Sequence, residues 1–264
     1  MKRVLIRPGA IGDFIVSLPA LEHLAAAASY TEVWVTGRNL PLVRFADRVR
    51  SISSTGLDLL ELGQAPLSLH ETLAGFDEIW SWYGFGRAAF QESVRHLPVR
   101  VFPALPDSEN GPATDFYLRQ VGAPPGAVPR IDCPRQDKGY TVIHPFSGSA
   151  RKNWPLEKFR ALAGDIGRRM PVAWCAGPEE DLPEARRFED LYDLACWLAQ
   201  AHLYIGNDSG ITHLAAAVGV PVVALFGETL PQVWAPRGDN VKVLRNVPLK
   251  ELPVQAVIEC IQWG

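Results

Sequence analysis

Between residues 121 and 139 the chain reads VGAPPGAVPRIDCPRQDKG, with prolines at 124, 125, 129 and 134. Proline has a fixed φ and no amide hydrogen, so this stretch enters neither a central strand nor a helix interior. It cuts 264 residues into two nearly equal halves, each large enough to bury a core of its own. The expected boundary gives domains at 1–132 and 133–264.

Each half carries the same alternation of short apolar strand signals and longer helix signals. In the first, strands are expected at VLIR (4–7), EVWV (32–35), SISS (51–54), EIWSW (78–82) and VRVF (99–102). Helices are expected over 12–27, 39–48, 86–96 and 113–121, while residues 56–75 are leucine-rich without a period. In the second half the strands are YTVIHP (140–145), PVAWCAG (171–177), LYIGN (203–207), PVVALFG (221–227) and an edge strand, VKVLR (241–245). Its helices are 155–169, a polar stretch at 179–189, then 191–201, 209–219 and 253–263. Strand and helix in alternation predict an α/β fold with parallel sheets, here two such units with a cleft between them. Trp80 and Trp82 flank a polar position at strand spacing and are expected to pack in the core.

Charge excludes one class of partner. The net charge is −3, and neither half is basic: 12 Lys+Arg meet 14 Asp+Glu up to residue 132, and 14 meet 15 after it. No nucleic-acid partner is expected. Four widely spaced cysteines without a C-x-x-C pair suit a reducing compartment better than a disulfide framework or a zinc site. The apolar run after Met1 stops at Arg7, too short for a signal-peptide core, and no run approaches the roughly 18 residues of a membrane span. A cytoplasmic protein is expected.

Two loops of the second half have chemistry suited to an anion. In LYIGNDSGITHLAAAVG a strand ends at Asn207 and a helix begins within two residues. Asp208 or Ser209 can cap that helix, leaving amides free for a phosphate. Gly210 admits close approach of a ligand, and His213 lies one turn inside on the same face. An ordinary helix cap accounts for the same residues. In IHPFSGSARKNWP, Ser147, Gly148 and Ser149 offer hydroxyl and backbone donors, and Arg151 and Lys152 offer charge. No Walker A pattern is present, and a solvated basic loop is the plainer reading. Position favours function, because both loops follow strands at the carboxyl end of one sheet, where α/β folds bind ligands. A third strand-end loop, CAGPEED, places Glu179, Glu180 and Asp181 where a carboxylate can take ribose hydroxyls.

The first half opens on RPGAIGDF, a glycine-bearing turn between strand and helix. It is not G-x-G-x-x-G, and Asp13 stands where a bound phosphate would need positive charge. Asp13 is either a helix cap or a base. Arg87, Arg95 and Arg100 can hold an anionic acceptor or lie on a solvated helix face.

The segments RPGAIGDFIVSLPAL, IHPFSGSARKNWPLEKFRALA and LACWLAQAHLYIGNDSGITHLAAAVGVPVVALFG together resemble the heptosyltransferase family of lipopolysaccharide synthesis, glycosyltransferase family 9. The resemblance covers residues 140–240 and the first twenty or so. It implies the GT-B architecture, two Rossmann-like parallel-sheet domains facing a central cleft, with the acceptor bound by the N-terminal domain and the nucleotide sugar by the C-terminal one. It further implies inverting, metal-independent transfer of a sugar, expected to be heptose from ADP-heptose, to a lipopolysaccharide-core or related glycan or lipid-linked acceptor. Peripheral contact with the inner face of the cytoplasmic membrane is implied by that acceptor. On this resemblance Asp13 matches the family's general base. Ser147, Lys152, Asp208, Ser209, Gly210 and His213 match donor-binding positions, as does Glu180, with Glu179 and Asp181 as rivals; Gly148, in the same loop as Ser147, is expected to bind the donor through its backbone. The nucleotide sugar is a co-substrate, and no cofactor or metal site is expected. No acceptor-binding residue is assigned.

Two alternatives stand beside this reading: a nucleotide-sugar epimerase or hydrolase of the same architecture, and a nucleotide-sugar-binding protein without transfer. A Rossmann oxidoreductase is disfavoured, since neither half has the dinucleotide fingerprint at its first turn.

Overall fold

The computed structural model describes residues 1–109, 111–261 and 263. The chain divides into two compact units, Met1–Ala127 and Val128–Gly264. The division falls inside the proline-rich stretch. The fold class is α/β: each unit holds one five-stranded sheet, and every pairing in both is parallel.

In the first unit the elements are β1 (Lys2–Arg7), α1 (Ile11–Ala26), β2 (Tyr30–Val35), β3 (Arg48–Ser51), α2 (Leu67–Ala74), β4 (Glu78–Ser81), α3 (Ala88–Val94), β5 (Val99–Val101) and α4 (Ala113–Gln120). The sheet order is β3-β2-β1-β4-β5. The central strand β1 is buried from Arg3 to Arg7, as a parallel strand covered on both faces must be. One face packs Val4, Ile6, Trp34 and Ile79 against Leu57, Leu60, Leu69, Leu73 and Phe90. Trp80 and Trp82 are both buried.

Two expectations shift here. The helix expected over 39–48 is only a 3-10 turn, Gly37–Leu42, because Pro41 removes an amide just where an α-helix would need one. The strand expected at 51–54 lies instead at Arg48–Ser51, in register Glu32↔Arg48 to Val35↔Ser51, and Ile52–Ser54 turns away as 3-10 helix.

In the second unit the elements are β6 (Thr141–His144), α5 (Leu156–Gly167), β7 (Val172–Trp174), α6 (Leu191–Leu198), β8 (Leu203–Asn207), α7 (Gly210–Ala217), β9 (Val222–Phe226), α8 (Pro231–Trp234), β10 (Val241–Arg245) and α9 (Val254–Cys260). The order is β10-β9-β8-β6-β7, with β10 at the edge as expected. Ile143, Ile205, Val223 and Leu225 of the sheet pack against Phe159, Leu162, Ile166 and Val257 of the helices. The polar stretch 179–189 forms no helix: Pro183 interrupts it, and the chain makes turns and one isolated bridge, Cys175↔Arg186. The helix expected over 253–263 is Val254–Cys260, and residue 262 of that expectation lies outside the described residues.

The strand order determines where each unit can hold a ligand. From β6 the chain steps to β7 on one side and later returns to β8 on the other. The loops leaving β6 and β8 therefore diverge at a topological switch point, opening a crevice at their carboxyl ends. In the first unit the same switch falls between β1 and β4, and the loop leaving β1 carries Asp13.

Candidate functional site

The β6 and β8 loops are stapled together from beneath by a residue that motif reading overlooks. Asn207 ends β8 with no solvent exposure. Its Nδ2 donates to the Pro145 carbonyl at 2.8 Å, and its Oδ1 accepts from the Trp154 amide at 3.0 Å. One amide side chain thus pins both ends of the 145–154 loop. Trp154 is itself buried and donates Nε1–H to the Leu252 carbonyl at 3.0 Å.

Within that loop Ser147 is turned inward. Its Oγ lies 2.8 Å from the Ser149 carbonyl and 2.7 Å from Asn153 Oδ1, and it accepts the Ser149 amide at 3.3 Å. It shapes the loop in this structure, while Gly148 faces open space and would meet no atom within 4 Å. Lys152 ends a 3-10 turn, Ala150–Lys152, and its Nζ reaches Asp208 Oδ2 at 2.7 Å. The Asp208 side chain is 8% exposed and that of Lys152 is 43% exposed, so the pair is sunk at its acidic end and wet at its basic end.

Of the two capping candidates, Ser209 is the cap. Its Oγ accepts from the Thr212 amide at 3.4 Å, and its extended backbone opens α7. The Thr212 and His213 amides both turn back to the Ser209 carbonyl. The amides of Gly210 and Ile211, at the first turn, have no intrahelical partner by geometry. Thr212 Oγ1 donates to the Asn207 carbonyl and lies 3.2 Å from Tyr204 Oη, so a polar stack beneath the helix start holds its angle. Gly206 makes room for this: a Cβ there would fall 2.5 Å from Tyr204 Oη. His213 is buried in α7. Burial pushes the Tyr204 hydroxyl far above its ordinary value, with Thr212 and Ser209 opposing, so it stays protonated.

The loop after β7 adds the carboxylate. Glu180 Oε2 accepts from the Gly177 amide at 2.5 Å and lies 3.1 Å from His144 Nε2. Burial raises the Glu180 carboxyl, but the hydrogen bond and attraction of His144, with the Gly177 amide, outweigh it and hold the group below the ordinary carboxylate range. Glu179 and Asp181 are exposed.

The second unit therefore brings Lys152, Asp208, Ser209 and Gly210 together at the β6–β8 switch. It sets Glu180 on the β7 side, against the end of β6. Two open cavities of about 550 Å³ lie along the β7 edge, lined by Arg186 and Trp197 among others, and contain none of these residues. Among the described residues no group of three or more His, Cys, Asp or Glu could hold a metal ion, and no helix is long and apolar enough to cross a membrane.

In the first unit Asp13 sits in the first turn of α1, half-buried, and its Oδ2 accepts from the Ala10 amide at 3.1 Å. Beneath it lies Arg7, 1% exposed. Arg7 donates from Nη2 to the Asp13 carbonyl (2.7 Å) and to Tyr117 Oη (2.8 Å), from Nε to Ser17 Oγ (3.0 Å), and from Nη1 to the Pro8 carbonyl. Gly9 has φ +125°, and a Cβ there would come within 3.2 Å of both Arg7 Nη1 and Asp13 Oδ2. Its carbonyl accepts from Thr36 Oγ1 (3.1 Å) and Asn39 Nδ2 (3.3 Å). The loop carrying Asp13 is thus held on every side. Arg87, Arg95 and Arg100 each have an acidic partner, Glu61, Glu92 and Glu78 respectively.

Residues 116–261 match the family model of glycosyltransferase family 9 (heptosyltransferase). Lipopolysaccharide heptosyltransferase 1 of Escherichia coli (strain K12) is 33% identical over 125 residues, 41% of this chain and 39% of that protein. The chain spans about 40% of the length of the curated relatives it first matches. Among solved structures, the E. coli ADP-heptose lps heptosyltransferase II aligns with a TM-score of 0.74 at 17% identity, covering 98% of this chain and 97% of that one. The E. coli heptosyltransferase WaaC with ADP aligns with a TM-score of 0.72 at 18% identity, covering 98% of each chain. At such identities the likeness shows the fold, two Rossmann-like parallel-sheet units of the GT-B class.

Proposed function

The chain belongs to glycosyltransferase family 9, and from that premise we propose that it transfers a heptose from ADP-heptose to a lipopolysaccharide-core or related glycan acceptor, with inversion and without a metal. The observation that carries the proposal is the Lys152–Asp208 pair at the start of α7, 2.7 Å long. It places a half-exposed ammonium beside free helix amides, which is the chemistry a departing diphosphate needs. ADP appears in the description of one structural neighbour and ADP-heptose in that of another.

The step is a single displacement. The acceptor oxygen attacks the anomeric carbon as the bond to the ADP oxygen breaks, and attack from the opposite face inverts that carbon. The acceptor proton passes to Asp13, and the electron pair leaves on the β-phosphate, where Lys152 and the Gly210 and Ile211 amides take the charge. Glu180 holds the ribose, and Gly148 and His213 lie on the donor side. A lipid-linked acceptor places the protein in the cytoplasm, in peripheral contact with the membrane.

Asp13→Asn tests the assignment. Asparagine keeps an acceptor for the Ala10 amide, so the helix cap survives, but it cannot take a proton. Transfer from ADP-heptose should fall by about 10²-fold or more, with ADP affinity by calorimetry unchanged. Retained turnover, or a wild-type protein that hydrolyses the donor and transfers to no acceptor, refutes the reading.

A further inference from the structure

Glu180 is held as its two acidic neighbours are not. Its Oε2 takes the Gly177 amide and faces His144 Nε2, and its backbone carbonyl accepts from Arg187 Nη2 at 2.7 Å. Its Oε1 has no partner among the described residues, and the side chain is 26% exposed. One carboxylate oxygen is committed to the protein and the other is open.

The partner that commits it is unusual. His144 closes β6 with 3% exposure, in register with Gly206 of β8. Its Nδ1 is buried with no hydrogen-bond partner. An unpaired buried polar atom destabilises a fold, and an apolar side chain of similar shape would avoid that cost. What an apolar side chain would not supply is an N–H at the Nε2 position.

We propose that His144 is the positioning residue for Glu180: its Nε2–H fixes Oε2, so that Oε1 is already aimed at the ribose hydroxyls before the nucleotide arrives. The inference rests on the reading of Glu180 as the ribose-binding acid. A carboxylate pinned at one oxygen, on a backbone held by Arg187, loses little freedom when hydroxyls bind the other, and that preorganisation appears as affinity. A freely rotating glutamate, such as exposed Glu179, would have to be ordered by the ligand itself.

Two amide variants separate positioning from folding. The amide of His144→Gln reaches the place of Nε2, and that of His144→Asn reaches the place of Nδ1. ADP and 2′,3′-dideoxy-ADP are titrated calorimetrically into wild type, both variants and Glu180→Gln, with thermal midpoints recorded alongside. Wild type should prefer ADP by about 10-fold or more, the worth of a charge-assisted hydrogen bond. His144→Gln should keep most of that preference. His144→Asn should lose it, by a fall in ADP affinity alone, with dideoxy-ADP bound within about twofold of wild type. Equal weakening of both ligands by His144→Asn, or an undiminished preference, overturns the inference. A wild-type protein that binds ADP without any preference overturns the Glu180 assignment and this inference with it. Failure to bind ADP at all overturns the proposed function as well.

Discussion

Replacing Lys152 by methionine tests the diphosphate site with a magnitude that the geometry supplies. The ammonium lies 2.7 Å from Asp208 Oδ2, a gross attraction of about 6 kcal/mol at an effective dielectric of 20, or about 1.5 kcal/mol in bulk water. Because the lysine side chain is 43% exposed, screening brings the net value toward the lower figure, about 1–2 kcal/mol. The variant should therefore fold and melt roughly 2–8 °C lower. Its effect on binding is separate. A charge-assisted hydrogen bond to phosphate is worth about 1.5–3 kcal/mol, or roughly 10- to 100-fold in Kd. In the unliganded protein the ammonium is already engaged by Asp208, so a ligand gains only what exceeds that pair. The lower end, about 10-fold, is expected. The assay is calorimetric titration of ADP and of adenosine into both proteins at two salt concentrations. ADP should weaken by about 10-fold and lose part of its salt dependence, while adenosine stays within about twofold. Equal weakening of ADP and adenosine would show that Lys152 only shapes the loop. An unchanged ADP affinity would remove it from the phosphate site.

Two further outcomes follow from contacts beneath the same loops. Gly206→Ala would place a Cβ 2.5 Å from Tyr204 Oη and push that hydroxyl off Thr212, costing about 1–3 kcal/mol in urea unfolding; Tyr204→Phe in the same chain should recover part of the loss, and an unshifted midpoint would refute the packing. The Glu180 carboxyl is held below its ordinary value, so its contribution is complete above the unfolded value near 4.3 and is lost as pH falls through the folded one. The urea midpoint of wild type should exceed that of Glu180→Gln at pH 6, and the gap should narrow steadily as the solution is acidified below the ordinary carboxylate range; a gap that widens on acidification contradicts the sign.

Legibility in the sequence followed the range of the interactions. The parallel sheets and most elements were readable because apolar runs and helical periods are local. Two of the failures were local conflicts with proline, Pro41 inside the expected 39–48 helix and Pro183 inside the polar 179–189 stretch, and a third was a strand boundary, the expected 51–54 strand lying at Arg48–Ser51. The strand-end loops were readable by residue type, since Ser, Gly, Lys and Asp at a strand-to-helix junction already state a chemistry. Asn207 and His144 were not. Asn207 has its partner 62 positions away at Pro145, and His144 has its partner 36 positions away at Glu180. No spacing rule connects such positions, and only the sheet order brings them together. The one available signal for Asn207 was an amide ending a largely apolar strand, LYIGN, where a buried polar side chain must find partners.

The strand–loop–helix junctions at the start of α1 and at the start of α7 are not interchangeable. In the first unit Asp13 takes the Ala10 amide into its own carboxylate, so the start of α1 already holds a negative charge. The buried Arg7 guanidinium below it is spent on the carbonyls of Pro8 and Asp13 and on two hydroxyls, and Gly9 leaves room for that approach. A diphosphate arriving there would meet a carboxylate, and the guanidinium beneath it is already engaged. In the second unit the cap is the neutral Ser209, the acid one residue earlier is countered by Lys152, and the leading amides of α7 have no intrahelical partner. On the proposed reading an anion is disfavoured at the first helix start and favoured at the second, while a hydroxyl with a proton to lose is suited to the first. That division of labour follows from where each loop puts its single acid: on the helix amides in one unit, and on a lysine in the other.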